Sequence, residues 1–303
     1  MRCLWRRHGI AAVLGFGGAA ALGGGGNPWA DEVISYVPGS NPSFGFTNPL
    51  TVLGSPERFT GEEDFGGEYA SAVTPFNTAF GSDEILSIGA GGHVIVRFDE
   101  PITNDPSHLY GVDLIVFGNG SFVDGDYPNG VVAGLFSEGP FTVSVSADGV
   151  TFFDVASGFG DGVWPAQGYL DLDTPYSDMP GNVPSDFLKP LNPALTFPDF
   201  LGKDYSEVKA IYDGSGGGLP IDIAPSGLAA AYYVRIDVAT DVQNAPEIDA
   251  FAVVPEPACG ASLALFGLSI ALRRNAGKSG RQPGGGPARR PLAARRSVVA
   301  DTR

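Results

Sequence analysis

Carboxylates are the commonest chemistry-bearing groups of this chain, and their setting admits two kinds of site. Hard divalent cations take oxygen ligands from carboxylates and backbone carbonyls in loops. The stretch Asn119-Gly120-Ser121-Phe122-Val123-Asp124-Gly125-Asp126 offers Asn119, Asp124 and Asp126 as side-chain donors for calcium. It lacks the glycine and terminal glutamate spacing of an EF-hand loop, and Asp-Gly turns also form without metal. Paired carboxylates can cleave a glycosidic bond from opposite sides, but the 33 acids between residues 31 and 257 generate pairs by composition alone and none stands out. Aromatic faces beside acids suit sugar rings. Trp164, Tyr169 and Tyr176 stand in a long Gly- and Pro-rich stretch where they are candidate carbohydrate contacts, although aromatics in such loops also pack the loop onto the sheet beneath.

Other catalytic chemistry finds little material. Acid-base catalysis needs groups of matched pKa held in contact, and the body contains two histidines, His93 and His108. His93 shares a strand face with Arg97, while His108 follows the turn Asn104-Asp105-Pro106-Ser107. Neither has a second histidine four residues on, so both are expected at the surface and the body is expected to be non-enzymatic. Cys3 and Cys259 both lie in the terminal segments, leaving the body no thiol for a disulfide, zinc or nucleophilic attack. Gly214-Ser215-Gly216-Gly217-Gly218 lacks the Lys-Ser/Thr ending of a phosphate loop and reads as a flexible turn. Between residues 31 and 257 six cations face 33 acids, a net charge near −27. Such a surface repels nucleic acid, which needs cations to displace its counterions; it favours solubility and attracts divalent cations.

The elements that must position these groups are strands. With 44 Gly and 25 Pro, long helices are disfavoured, and the periodic segments alternate with period two. Phe141, Val143 and Val145 alternate with Thr142, Ser144 and Ser146; Asp148-Gly149 supplies a turn, and Thr151 to Val155 returns. Val94, Val96 and Phe98 oppose His93, Ile95 and Arg97, and Tyr232, Val234, Ile236 and Val238 oppose Tyr233, Arg235 and Asp237. Leu114 to Phe117 is apolar on both faces and should be central and covered on each side. Further strands are expected at Val33 to Val37, Ile85 to Ile88 and Ile248 to Val254. Periodicity is lost between Ser157 and Val208, which reads as packing or functional loops rather than a second domain. The fold class is therefore all-β, two packed sheets with long loops.

Both ends carry addresses. Residues 1–30 have the order of a secretory signal peptide: Arg2, Arg6 and Arg7, an apolar core from Ile10 to about Leu22, and a small residue, Ala30, at the cleavage site. The Sec translocon is the partner implied. After the expected domain at 31–253 come Val254-Pro255-Glu256-Pro257, an apolar run from Ala258 to Leu272, and Arg273-Arg274. A polar break, a short apolar segment and cations that resist translocation make a transient membrane anchor over 254–274, followed by a Pro-, Gly- and Arg-rich tail at 275–303 that reads as disordered.

This C-terminal arrangement resembles the PEP-CTERM sorting signal of exported bacterial proteins. The resemblance implies recognition by an exosortase-type sorting enzyme through Val254, Pro255, Glu256, Pro257, Arg273 and Arg274, with a destination at the cell envelope, cell surface or medium. The chain departs from the pattern in the length of its tail. The body, from Pro75-Phe76-Asn77 through Asp113-Leu114-Ile115-Val116-Phe117-Gly118-Asn119 to Glu247-Ile248-Asp249-Ala250-Phe251, is similar to exported PEP-CTERM proteins of unassigned function. Val143 to Val155, Tyr233-Val234-Arg235-Ile236 and Glu247 to Phe251 are also similar to discoidin-like, galactose-binding-like jelly rolls. That second resemblance implies an eight-stranded sandwich with binding at its loop tips. It also implies a structural calcium held by Glu247 and the Pro246 carbonyl, with Asp83 as partner. The resulting expectation is a non-enzymatic exported protein engaged in surface or exopolysaccharide interactions; the alternatives are a carbohydrate-binding module or a glycan-active enzyme.

Overall fold

The structure, a computed structural model, describes residues 26–61, 71–136, 139–158 and 164–256. Its strands, in chain order, are β1 (Glu32–Val37), β2 (Leu86–Ser87), β3 (His93–Thr103), β4 (Leu114–Gly118), β5 (Ser121–Asp124), β6 (Val132–Phe136), β7 (Phe141–Ser146), β8 (Phe153–Gly158), β9 (Leu219–Ile221), β10 (Ala230–Asp237) and β11 (Glu247–Val253). Two helices, α1 (Phe197–Phe200) and α2 (Tyr205–Tyr212), lie between β8 and β9.

The strands form a five-stranded sheet, β1-β3-β10-β7-β8, a four-stranded sheet, β2-β11-β4-β9, and the separate hairpin β5-β6. Every pairing is antiparallel. The β7-β8 hairpin turns on Asp148, whose carboxylate accepts from the Val150 and Thr151 N–H groups, while Gly149 takes the left-handed backbone that the turn demands. The main core lies where the two sheets face each other. Val94, Val96 and Phe98 of β3, Val143 and Val145 of β7 and Val234 and Ile236 of β10 meet Leu114 and Val116 of β4 and Ile248 and Phe251 of β11. This is the sandwich expected from the alternation of apolar residues.

β4 is buried on both faces, as its unbroken apolar run requires. Leu114 and Val116 enter the core between the sheets, whereas Ile115 and Phe117 point the other way, against Phe187, Ala250 and Ala252. Loop residues, with Phe187 edge-on to Phe117, supply that outer cover.

Four expectations need correction. Tyr232 is exposed although period two assigns it to the core: the β10-β3 register shifts between Ala231 and Tyr233, and Ala231 takes the inward place. The stretch 119–126 is half strand, since β5 occupies its middle and pairs with β6. The glycine-rich segment at 214–218 is packed, with Ser215 to Gly218 buried. A Cβ on Gly217 would meet the Pro165 carbonyl oxygen at 2.3 Å, so close backbone approach accounts for its glycines. Finally, the aperiodic region runs into α2, opened by a capping box in which Asp204 accepts from Glu207 N–H and Glu207 accepts from Asp204 N–H. With α1 it closes a second core of Phe76, Phe122, Trp164, Phe200, Val208 and Tyr212.

The last strand ends at Val253, but the chain does not leave the body there. Val254 is buried and its N–H donates to the Asp113 carbonyl at 2.9 Å. Among the described residues no helix is long and apolar enough to cross a membrane. Pro257, the apolar run 258–272, Arg273, Arg274 and the tail, like residues 1–25 of the leader, lie outside the described residues.

Candidate functional site

Three groupings of polar side chains could do chemistry, each built by a different feature of the sandwich. The first is the segment between β3 and β4. Here a turn at Leu109–Gly111, with Tyr110 and Gly111 both at positive φ, folds His108 back toward β4. His108 is only 4% exposed, which overturns the expectation of a surface histidine. Its Nδ1 lies 2.8 Å from Asp113 Oδ1. Asp113, wholly buried at the start of β4, also accepts from the N–H groups of Asp105 (3.1 Å) and Ile223 (3.0 Å). That carboxylate explains how a histidine can be buried here: it holds the imidazole proton in place. On the far side of the ring, His108 Nε2 has no hydrogen-bond partner and lies 3.7 Å from Glu256 Oε2. Contact with the Asp105 carboxylate, followed by desolvation, raises the Glu256 pKa.

The second grouping is the tip of the β5-β6 hairpin. The Asp124 carboxylate accepts from the N–H groups of Asp126 (2.8 Å), Gly130 (3.0 Å) and Val131 (3.0 Å) and from the Tyr176 hydroxyl (3.2 Å). Burial works against it, but those backbone and hydroxyl donors hold the Asp124 pKa below the usual carboxylate value. Asp124 thus organises the tip from within. Above it the Tyr127 ring, 74% exposed, leans on the Tyr176 ring at 5.0 Å between centroids.

The third grouping surrounds Asp249, the residue at which the β11-β4 register shifts. Ile248 and Phe251 both face the main core although they are three apart, so the bulge turns Asp249 into the interior. Its Oδ2 accepts from Glu57 N–H at 3.2 Å. Desolvation first, then the Glu57 and Glu84 charges, raise its pKa well above the usual value; Glu57 is raised by burial and by the charge of Asp83.

These groupings redistribute the residues named from sequence. Glu247 and Asn119, assigned to two separate candidate cation sites, touch: Asn119 Nδ2 donates to Glu247 Oε2 at 2.5 Å. The Pro246 carbonyl accepts from Ile88 N–H, and Asp83 belongs electrostatically with Glu57. Asp126 accepts from Asn129 Nδ2 at the hairpin tip. Trp164, 5% exposed, packs at 4.8 Å on Phe200, and Tyr169 lies between Phe59 and the Arg58 guanidinium. Of the three named aromatics, Tyr176 is the one placed beside an exposed ring. Sequence reasoning missed Tyr127, Asp105, Asp113 and Asp249; the order Asp105, His108, Asp113 flanking a Gly turn was the available signal for the buried pair.

No protein-family model matches the chain, and no curated protein is similar to it. The chain is similar to two solved structures. One is the CBM32 of AlyQ in complex with 4,5-unsaturated mannuronic acid, 11% identical, over 74% of this chain and 96% of that one, with a TM-score of 0.25. The other is CBM32-3 from a family 31 glycoside hydrolase from Clostridium perfringens, 7% identical, over 75% and 90% of the two chains, with a TM-score of 0.26. At such scores neither likeness bears on the site.

Proposed function

We propose that this chain is an exported, non-enzymatic β-sandwich that binds carbohydrate at the tip of the β5-β6 hairpin. The observation that carries the reading is the exposed Tyr127 ring, propped by Tyr176 in a turn whose Asp126 and Asn129 side chains hydrogen-bond to each other. A flat aromatic face covers the C–H face of a sugar ring, and polar groups at its edge pair with hydroxyls. Affinity electrophoresis through gels containing neutral or acidic exopolysaccharide tests this: Tyr127→Ala should lose the retardation shown by the parent chain. Equal retardation of parent and variant, or none for either, would exclude the hairpin tip as the site.

Delivery belongs to the same proposal. The charged and apolar leader at 1–30 supports export through the Sec translocon, and Val254-Pro255-Glu256-Pro257 with Arg273 and Arg274 supports sorting by an exosortase-type enzyme at the envelope. A structural calcium ion also belongs to it, supported by the acid-rich body, in which 33 acids face six cations between residues 31 and 257.

A further inference from the structure

We propose that Asp105, His108 and Glu256 bind a first-row transition dication of the zinc class, with Asp113 as the carboxylate that orients the imidazole. Asp113 Oδ1, 2.8 Å from Nδ1, needs a donor there, so the ring carries its proton on Nδ1 and presents the Nε2 lone pair on the opposite side. That lone pair has no hydrogen-bond partner, although the His108 side chain is only 1% exposed. It faces two carboxylates, and one ligand atom from each of the three residues lies within 4.8 Å of the others. The Nε2 lone pair and two carboxyl groups converge on one point. A cation there would satisfy all three.

The donor set selects the kind of cation. Calcium and magnesium take oxygen ligands, whereas an imidazole with two carboxylates suits zinc and its neighbours. Tetrahedral ligand distances of ~2.1 Å require the three atoms to stand about 3.4 Å apart. Nε2 and Glu256 Oε2 are already 3.7 Å apart, and the Glu256 side chain, 58% exposed, can rotate the rest of the way. Asp105 Oδ1 and Oδ2 accept from Ser107 N–H and Oγ–H at 2.8 Å each, which fixes that carboxylate and leaves it lone pairs for a metal. An imidazole whose other nitrogen donates to a buried carboxylate is the usual outer-sphere arrangement of a metal-binding histidine. Three protein ligands leave a fourth position to water. Since Glu256 follows the last strand, the ion would fasten the departing chain to the loop before β4.

The test is a zinc titration by calorimetry of the full chain, purified without a polyhistidine tag and stripped with chelator, together with a cobalt titration followed by its visible d–d absorption. One equivalent of zinc should bind and the cobalt complex should be coloured. Asp105→Asn and Glu256→Gln should each weaken zinc at least about tenfold, while Asp173→Asn, at an exposed residue outside the named sites, should leave it unchanged. The two ligand substitutions lie on the solvent side and keep the His108-Asp113 pair, so folding is preserved; a thermal melt of each variant checks this. Absence of a stoichiometric zinc site, or affinity unchanged in either ligand variant, overturns the proposal and leaves shared protons as the resolution of the three acceptors.

Discussion

Asp249 carries a charge cost that its position makes testable. A carboxyl group whose folded pKa is raised binds more protons in the native than in the unfolded chain across the interval between the two values. Its contribution is therefore fully present below the ordinary carboxylate range near 3.8 and is lost as pH rises through the elevated folded value. In calcium-free buffer Asp249→Asn, which keeps an acceptor for Glu57 N–H, should melt higher than the parent at pH 8. The difference should shrink toward pH 4. A variant that melts lower than the parent at pH 8 without calcium would refute the charge argument. Asp148, Asp171 and Asp204 run the other way: backbone donors lower their pKa values, so what they contribute is lost on acidification below the ordinary range. None of this could be read from residue type, because Asp249 sits in an apolar strand pattern, Ile248-Asp249-Ala250-Phe251, whose bulge is invisible until β4 is placed beside it.

At the scale of elements, most strands of the two packed sheets were legible, whereas β9, the β5-β6 hairpin and the helical patch were not. Alternation located β3 and β7 because sheet faces sort side chains with period two, an unbroken apolar run located the covered β4, and the Asp148-Gly149 turn announced its hairpin. The region from Ser157 to Val208 showed no period because its aromatics are gathered from separate loops around α1 and α2 into the second core. Phe200, wholly buried among Trp164, Phe122 and Tyr212, is the centre of that patch. Phe200→Ala should cost about 3–5 kcal/mol, read from the midpoint of urea unfolding. Trp164→Ala should do the same and should not selectively impair carbohydrate retention in variants that remain folded. Loss of retention with an unshifted unfolding midpoint would return Trp164 to the list of ligand contacts. Asp204→Ala, which removes the α2 capping box, should lower stability by less than either core substitution.

For the molecule as a whole, charge is written in the linear order, and the proposed addresses at its two ends are testable there. Arg273 and Arg274 resist translocation as part of the proposed anchor, so changing both to Glu should mis-sort the protein, seen by envelope fractionation; an unaltered distribution would argue against the anchor. Mass spectrometry of the mature protein should place its N-terminus near Ala30 and reveal whether the segment after Pro257 has been removed. The acidic body should show no retardation of DNA at any salt concentration, since it has too few cations to release counterions. Composition and strand patterning by themselves determined an all-β sandwich, the covered central strand and the acidic charge of the body, since each depends on neighbours along the chain. Only the tertiary structure decided that Glu256 of the C-terminal motif lies against His108, that Tyr127 joins Tyr176, and that Asn119 meets Glu247. Those contacts join residues up to 148 positions apart, and sheet register and loop packing, which no local spacing encodes, bring them together.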